Sequence, residues 1–153
     1  MKKNKVGNSE LLVSIAGFGC MSLGDDESSA IALLQEAAEK GINFFDTANI
    51  YNDGLNEEIL GKAFKTNRNN IIIATKVGNQ RLPDGSLQWN PTKKHIFEEV
   101  EKSLQRLQTD YIDLYQLHGG TIEDTIEEII EAFEKLQSEG KIRYYGISSI
   151  RPN

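Results

Sequence analysis

Short runs of β-branched and aromatic residues alternate along the chain with longer stretches in which apolar positions recur every three or four residues. The first pattern marks strands and the second marks helices with one buried face. Residues 15–20, 42–46, 71–77, 111–117 and 144–148 read as strands. Between them, residues 27–39 read as a helix that buries Ile31, Leu34 and Ala38 and stops at Gly41. Asn56 is placed to cap a second helix, which reaches about Lys65 and buries Leu60, Ala63 and Phe64. Pro91 and Thr92 open a third, with Phe97, Val100, Leu104 and Leu107 on its inner face. The fourth, residues 123–138, aligns Ile126, Ile129, Ile130, Phe133 and Leu136 and ends at Gly140. Residues 5–12 read as a hairpin turned at Gly7 and Asn8, and residues 78–89 as a loop.

Strict alternation of strand and helix implies a parallel sheet with right-handed crossovers. An open doubly wound sheet and a barrel both satisfy it. A dinucleotide-binding open sheet wants G-x-G-x-x-G after its first strand, but Gly17, Gly19 and Gly24 are spaced by two and five, so that fingerprint fails. The reading is α/β, a parallel (β/α)8 barrel of the TIM type, incomplete, with an N-terminal β-hairpin and a single domain over residues 1–153. At 39% hydrophobic and 26% charged, the composition suits a soluble domain with a real core. The net charge of -6, without a basic run, argues against a nucleic-acid partner. Cys20 is the single cysteine, which excludes an internal disulfide and fits a reducing compartment. The basic N-terminus leads into no apolar run of signal length, and no run is long enough to span a membrane, so a cytoplasmic location is expected.

Unusual polar residues recur at one place in each unit, the C-terminal end of the strand. Asp46, Lys76, His118 and the pair Ser148 and Ser149 all sit there. In a β/α barrel these ends converge on the face that carries the active site. Singly, each has an ordinary explanation: a solvated strand end for Lys76, a loop residue for His118, a turn cap for Asp46. Together, an acid, a cation and an imidazole on one face favour a site. His95 lies among charged residues of a helix and reads as surface. Cys20 reads as packing, because no histidine is placed to activate it.

Several segments carry a resemblance. Gly17-Phe-Gly-Cys-Met-Ser-Leu-Gly24, Gly41-Ile-Asn-Phe-Phe-Asp-Thr-Ala48 followed by Tyr51, and Asn56-Glu-Glu-Ile-Leu-Gly61 come first. Ala74-Thr-Lys76, the stretch from Leu104 to His118 and Gly140-Lys-Ile-Arg-Tyr-Tyr-Gly-Ile-Ser148 follow in order. The chain resembles the aldo-keto reductases along its whole length, with Leu-His-Gly-Gly and Gly-Ile-Ser-Ser-Ile-Arg-Pro-Asn closest to bacterial members.

The resemblance implies NAD(P)H-dependent reduction of a small-molecule carbonyl, with Tyr51 as general acid and Asp46, Lys76 and His118 completing a catalytic tetrad. A free tyrosine yields its proton too reluctantly for easy donation near pH 7, and an ammonium held charged by a carboxylate would assist. His118 would orient the carbonyl. Tyr51, His118 and Trp89 are the implied substrate contacts. Gly19, Cys20, Met21 and Asp46 would lie near the nicotinamide ribose, and Ser148 and Ser149 would hold the carboxamide, although many members have Asn where Ser149 stands. NADPH is the expected cofactor, with NADH the alternative, and no metal is expected. Two other readings stay open: a non-catalytic binding or regulatory subunit of the same fold, and a Schiff-base aldolase using Lys76. Because a complete barrel has eight strands in roughly 250 residues, five strands are expected to leave two edges and part of the apolar interior open. The chain alone is then expected to self-associate and to turn over weakly.

Overall fold

The computed structural model describes residues 1–149; the Ile150 to Asn153 end of the last sequence motif lies outside them. Five strands form the central sheet: β3 (Phe18–Gly19), β4 (Phe44–Asp46), β5 (Ile72–Val77), β8 (Ile112–Leu117) and β9 (Ile142–Ile147). Two antiparallel hairpins flank it, β1 (Lys3–Lys5) with β2 (Leu12–Ser14), and β6 (Asn79–Arg81) with β7 (Leu87–Trp89). Four helices connect the sheet strands: α1 (Glu27–Glu39), α2 (Leu55–Phe64), α3 (Lys93–Leu107) and α4 (Ile126–Ser138).

The sheet order is β3-β4-β5-β8-β9, and every neighbouring pair is parallel. A doubly wound sheet reverses its order at a switch point. This one never reverses, so each crossover steps the same way, as in a barrel wall. Strand β5 is buried over nearly its whole length, as expected for a parallel strand covered on both faces.

The β1–β2 hairpin crosses the N-terminal ends of the strands. Asn43, just before β4, accepts from the Ser14 amide at 2.7 Å and donates to the Leu12 carbonyl at 2.9 Å. The Glu10 amide reaches the Tyr144 hydroxyl on β9 at 3.0 Å. The functional ends of the strands are therefore left free.

Several expectations shift. The first strand shrinks to Phe18–Gly19, with Ile15 exposed and Cys20–Ser22 forming a 3₁₀ turn. Residues 78–89 form the β6–β7 hairpin rather than a plain loop. Asn56 does not cap α2: Gly54 holds that position at φ +91°, and the Asn56 amide instead donates to the Cys20 carbonyl at 2.5 Å. In α1 the buried face is Ala30, Leu34 and Ala37, one residue round from the expected stripe. His95 is buried at 5% exposure, because the buried face of α3 is wider than its apolar positions suggest and takes in Glu99 and Ser103. Phe97 is only half-buried. In α4, Ile126 and Ile130 are exposed while Ile129, Ala132, Phe133 and Leu136 are buried. Among the described residues, no helix is long and apolar enough to cross a membrane.

Candidate active site

The strand register aligns the expected site residues along one edge. Gly19 pairs with Asp46, Asp46 with Ala74, and Lys76 with Gln116, two residues before His118. Ser148 then donates its amide to the Leu117 carbonyl at 2.9 Å. Adjacent strand ends thus present Gly19, Asp46, Lys76, His118 and Ser148 in sequence.

Lys76 is buried, and its ammonium donates to Asp46 Oδ1 at 2.6 Å and to the Thr47 carbonyl at 2.7 Å. Asp46 stays partly open to solvent. The Lys76 nitrogen lies 5.1 Å from the centre of the Tyr51 ring. The His118 ring meets Tyr51 edge-on, with centroids 5.7 Å apart and an interplanar angle of 81°. All four tetrad residues named from the sequence therefore come together. Asp46 and Lys76 stand on neighbouring strands, His118 directly follows β8, and Tyr51 folds over from the loop after β4.

That loop is unusual. After Tyr51, Asn52 at φ +50°, Asp53 at φ +52° and Gly54 at φ +91° are all left-handed. Asn and Asp tolerate this region best among non-glycine residues, and Gly enters it freely. The conformation is tied down on both sides: Asn52 donates to Asp25 at 2.8 Å, and Asp53 forms an ion pair with Arg81 of β6. The chain reverses tightly here, and Tyr51 is delivered over Lys76.

Trp89 sits across Gly78 and Gly119, the residues after Val77 and His118. Its indole nitrogen donates to Asp124 at 2.9 Å. A Cβ on Gly78, at φ +116°, would stand 2.7 Å from the Trp89 ring. Met21 is exposed, as are Gly19, Ser148 and Ser149. Cys20 is fully buried, and burial pushes its thiol up to about 12, with Asp46 adding to the shift and Lys76 opposing it. Cys20, expected beside the nicotinamide ribose, is instead closed off: no part of it is exposed, and its carbonyl already accepts from Asn56. Among the described residues there is no cluster of potential metal ligands.

Sequence reasoning missed the charged support beneath the site. Glu57 is fully buried and accepts from Thr75, beside Lys76, at 2.6 Å and from Arg106 at 2.6 Å. Arg106 also reaches Glu99 at 2.7 Å. No local pattern announces this network, because its partners lie on α2, β5 and α3. The β6–β7 hairpin did leave a signal, the Pro83-Asp84-Gly85 turn triplet.

The chain has two histidines, and both rings are held below the ordinary imidazole value. Burial is the main cause for each; Lys76 adds to it at His118, where Asp46 opposes, and Glu99 opposes it at His95. Unfolded, both titrate near pH 6.5. Below that pH the unfolded state binds protons that the folded state refuses, so stability falls as pH drops from about 6.5. Glu57, pushed up by burial despite Arg106, acts with the opposite sign. His95→Gln is therefore expected to flatten the decline between about pH 6.5 and 5 in denaturant titrations. An unchanged slope would mean that the buried ring protonates freely.

The Aldo/keto reductase family model matches residues 16–153. "Uncharacterized oxidoreductase YqkF" of Bacillus subtilis (strain 168) is 61% identical over 155 residues, covering 100% of this chain and 50% of that protein. The holo form of the aldo-keto reductase AKR11C1 from Bacillus halodurans superposes with a TM-score of 0.95 at 62% identity, covering 99% of this chain and 51% of that one. A Klebsiella pneumoniae aldo/keto reductase in complex with NADP and acetate gives a TM-score of 0.78 at 33% identity, covering 89% and 46%. The chain thus spans about half the length of the curated relatives it matches.

Proposed function

Because the chain belongs to the aldo/keto reductase family, we propose that it supplies the proton-transfer half of a nicotinamide-dependent carbonyl reductase. The observation that carries this reading is the Lys76 ammonium, fixed between Asp46 and the Thr47 carbonyl under the Tyr51 ring, with His118 at that ring's edge. Tyr51 donates a proton to the carbonyl oxygen. Lys76, oriented by its bond to Asp46, stabilises the phenolate left behind. His118, neutral near pH 7, orients the carbonyl by hydrogen bonding. A reduced nicotinamide, when bound, supplies the hydride. The exposed Gly19, Met21, Ser148 and Ser149, at the strand ends on either side of the tetrad, suit the nicotinamide end of such a cofactor. NADPH rather than NADH is part of the proposal, and Trp89 is proposed as a wall of the carbonyl pocket.

A Schiff-base aldolase is disfavoured. That chemistry needs a free, neutral amine, whereas Lys76 already donates to a carboxylate and a carbonyl. Oxidation of NADPH by the intact protein in the presence of a small aldehyde, together with quenching of nicotinamide fluorescence, tests the proposal. Cofactor binding without turnover of any carbonyl would favour a binding or regulatory role; absence of binding would defeat both.

Ile126, Ile130 and Ile147 are exposed beside an apolar groove of about 180 Å³ that Leu117, Phe133 and Tyr145 also line. The 153-residue chain on its own is expected to self-associate through such surface and to turn over weakly. Light scattering that reports a monodisperse monomer would contradict the first part.

A further inference from the structure

Asn79 opens β6 three residues after Lys76 and bonds to the other segments that carry the tetrad. Its Nδ2 donates to the His118 carbonyl at 3.5 Å. Its own carbonyl accepts from Asn49 Nδ2 at 3.2 Å. Asn49 stands two residues before Tyr51, and its backbone N–H donates to the Lys76 carbonyl at 3.5 Å. Asn49 is 8% exposed, which shields its bond to Asn79 from competing water. Proton transfer as described above uses neither residue.

We propose that Asn79 is a positioning residue that fixes the strand end of His118 against the loop of Tyr51, with Asn49 as its anchor. This rests on the tetrad reading of the site. The tetrad straddles three chain reversals, after β4, β5 and β8; the His118 amide still donates to the Val77 carbonyl at 2.7 Å, and Asn79 adds a side-chain tie just beyond that last backbone bond. Asn79 bridges all three. Its amide offers a donor to one loop while its backbone offers an acceptor to another. Asp at this position would keep the shape and lose the donor to His118. A misplacement of about 1 Å in such a site can cost as much as 100-fold in rate.

The test is proton NMR of the imidazole rings of the intact protein, with the ring signals of His95 and His118 assigned by His→Gln substitution of each. The charged groups facing His118 are Lys76 and Asp46, with Tyr51 at its edge. Asn79→Ala is expected to shift the His118 ring signals, raise their titration midpoint towards the ordinary value and lower kcat about tenfold or more with KM for the carbonyl little changed. Asn49→Ala leaves the His118 bond intact, so it is expected to lower kcat without moving the His118 midpoint. If Asn79→Ala does not fold by circular dichroism, Asn79→Asp carries the same expectation for His118. Unmoved His118 signals and midpoint in the folded variant would overturn the proposal. Full turnover in Tyr51→Phe would defeat the tetrad reading instead, and the NMR result would still report on Asn79.

Discussion

Replacing Tyr51 with Phe is expected to lower kcat by about 100- to 10,000-fold while leaving nicotinamide affinity unchanged, because only the proton donor is lost. The ring itself would stay. Its packing edge-on against His118 and its position 5.1 Å from the Lys76 nitrogen need no hydroxyl. The left-handed turn that delivers it is held by Asn52 with Asp25 and by Asp53 with Arg81, none of which the substitution touches. Turnover and cofactor binding should therefore separate cleanly, one falling and the other holding. Parallel measurement of NADPH oxidation and of fluorescence quenching reads the two. If both fall together, Tyr51 supports the site structurally; if neither falls, another group supplies the proton.

Gly61→Ala is the substitution expected to harm the fold most. Gly61 lies in α2 where that helix crosses the end of α3. A Cβ there would stand 2.7 Å from the Arg106 carbonyl oxygen and from both the carbon and the oxygen of the Leu107 carbonyl. These are backbone atoms, so no rotamer change relieves the contact, and the helices must part. Overpacking of this kind costs about 1–3 kcal/mol. Ala would recover up to about 1 kcal/mol of helix propensity. The parting would also draw Arg106 from Glu57, and a buried carboxylate stripped of its partner costs about 3–5 kcal/mol more. Even the low end of that sum, about 3 kcal/mol, corresponds to a fall in Tm of roughly 6–12 °C for a domain of this size. A thermal melt at or above that of the parent would show that the crossing has room to spare.

Legibility in the sequence followed locality. The strand ends were readable because an apolar run that closes on a titratable residue is a short-range signal, and Asp46, Lys76 and His118 each sit on one. Tyr51 lies off any strand and came from its motif alone. What escaped was long-range. His95 looked like surface because Lys94, Glu98 and Glu99 surround it, yet Glu99 turns inward to meet Arg106. Asn56 had the residue type of a helix cap, but a glycine held the cap position, and the amide served Cys20 on another element. Glu57 would be a poor candidate for full burial on any scale of hydrophobicity; Thr75 and Arg106, both far along the chain, make it tolerable.

The N-terminal hairpin has a consequence for the order of assembly. Its amide at Glu10 bonds to Tyr144, a separation of 134 residues, while most of the sheet joins strands that are next to one another in sequence. Contacts that close so long a loop carry the greatest entropic cost and form slowly. The hairpin can settle on Asn43 early, but its tie to Tyr144 must wait until β9 has formed, so the wall of strands is latched at that end only after the fifth strand is in place.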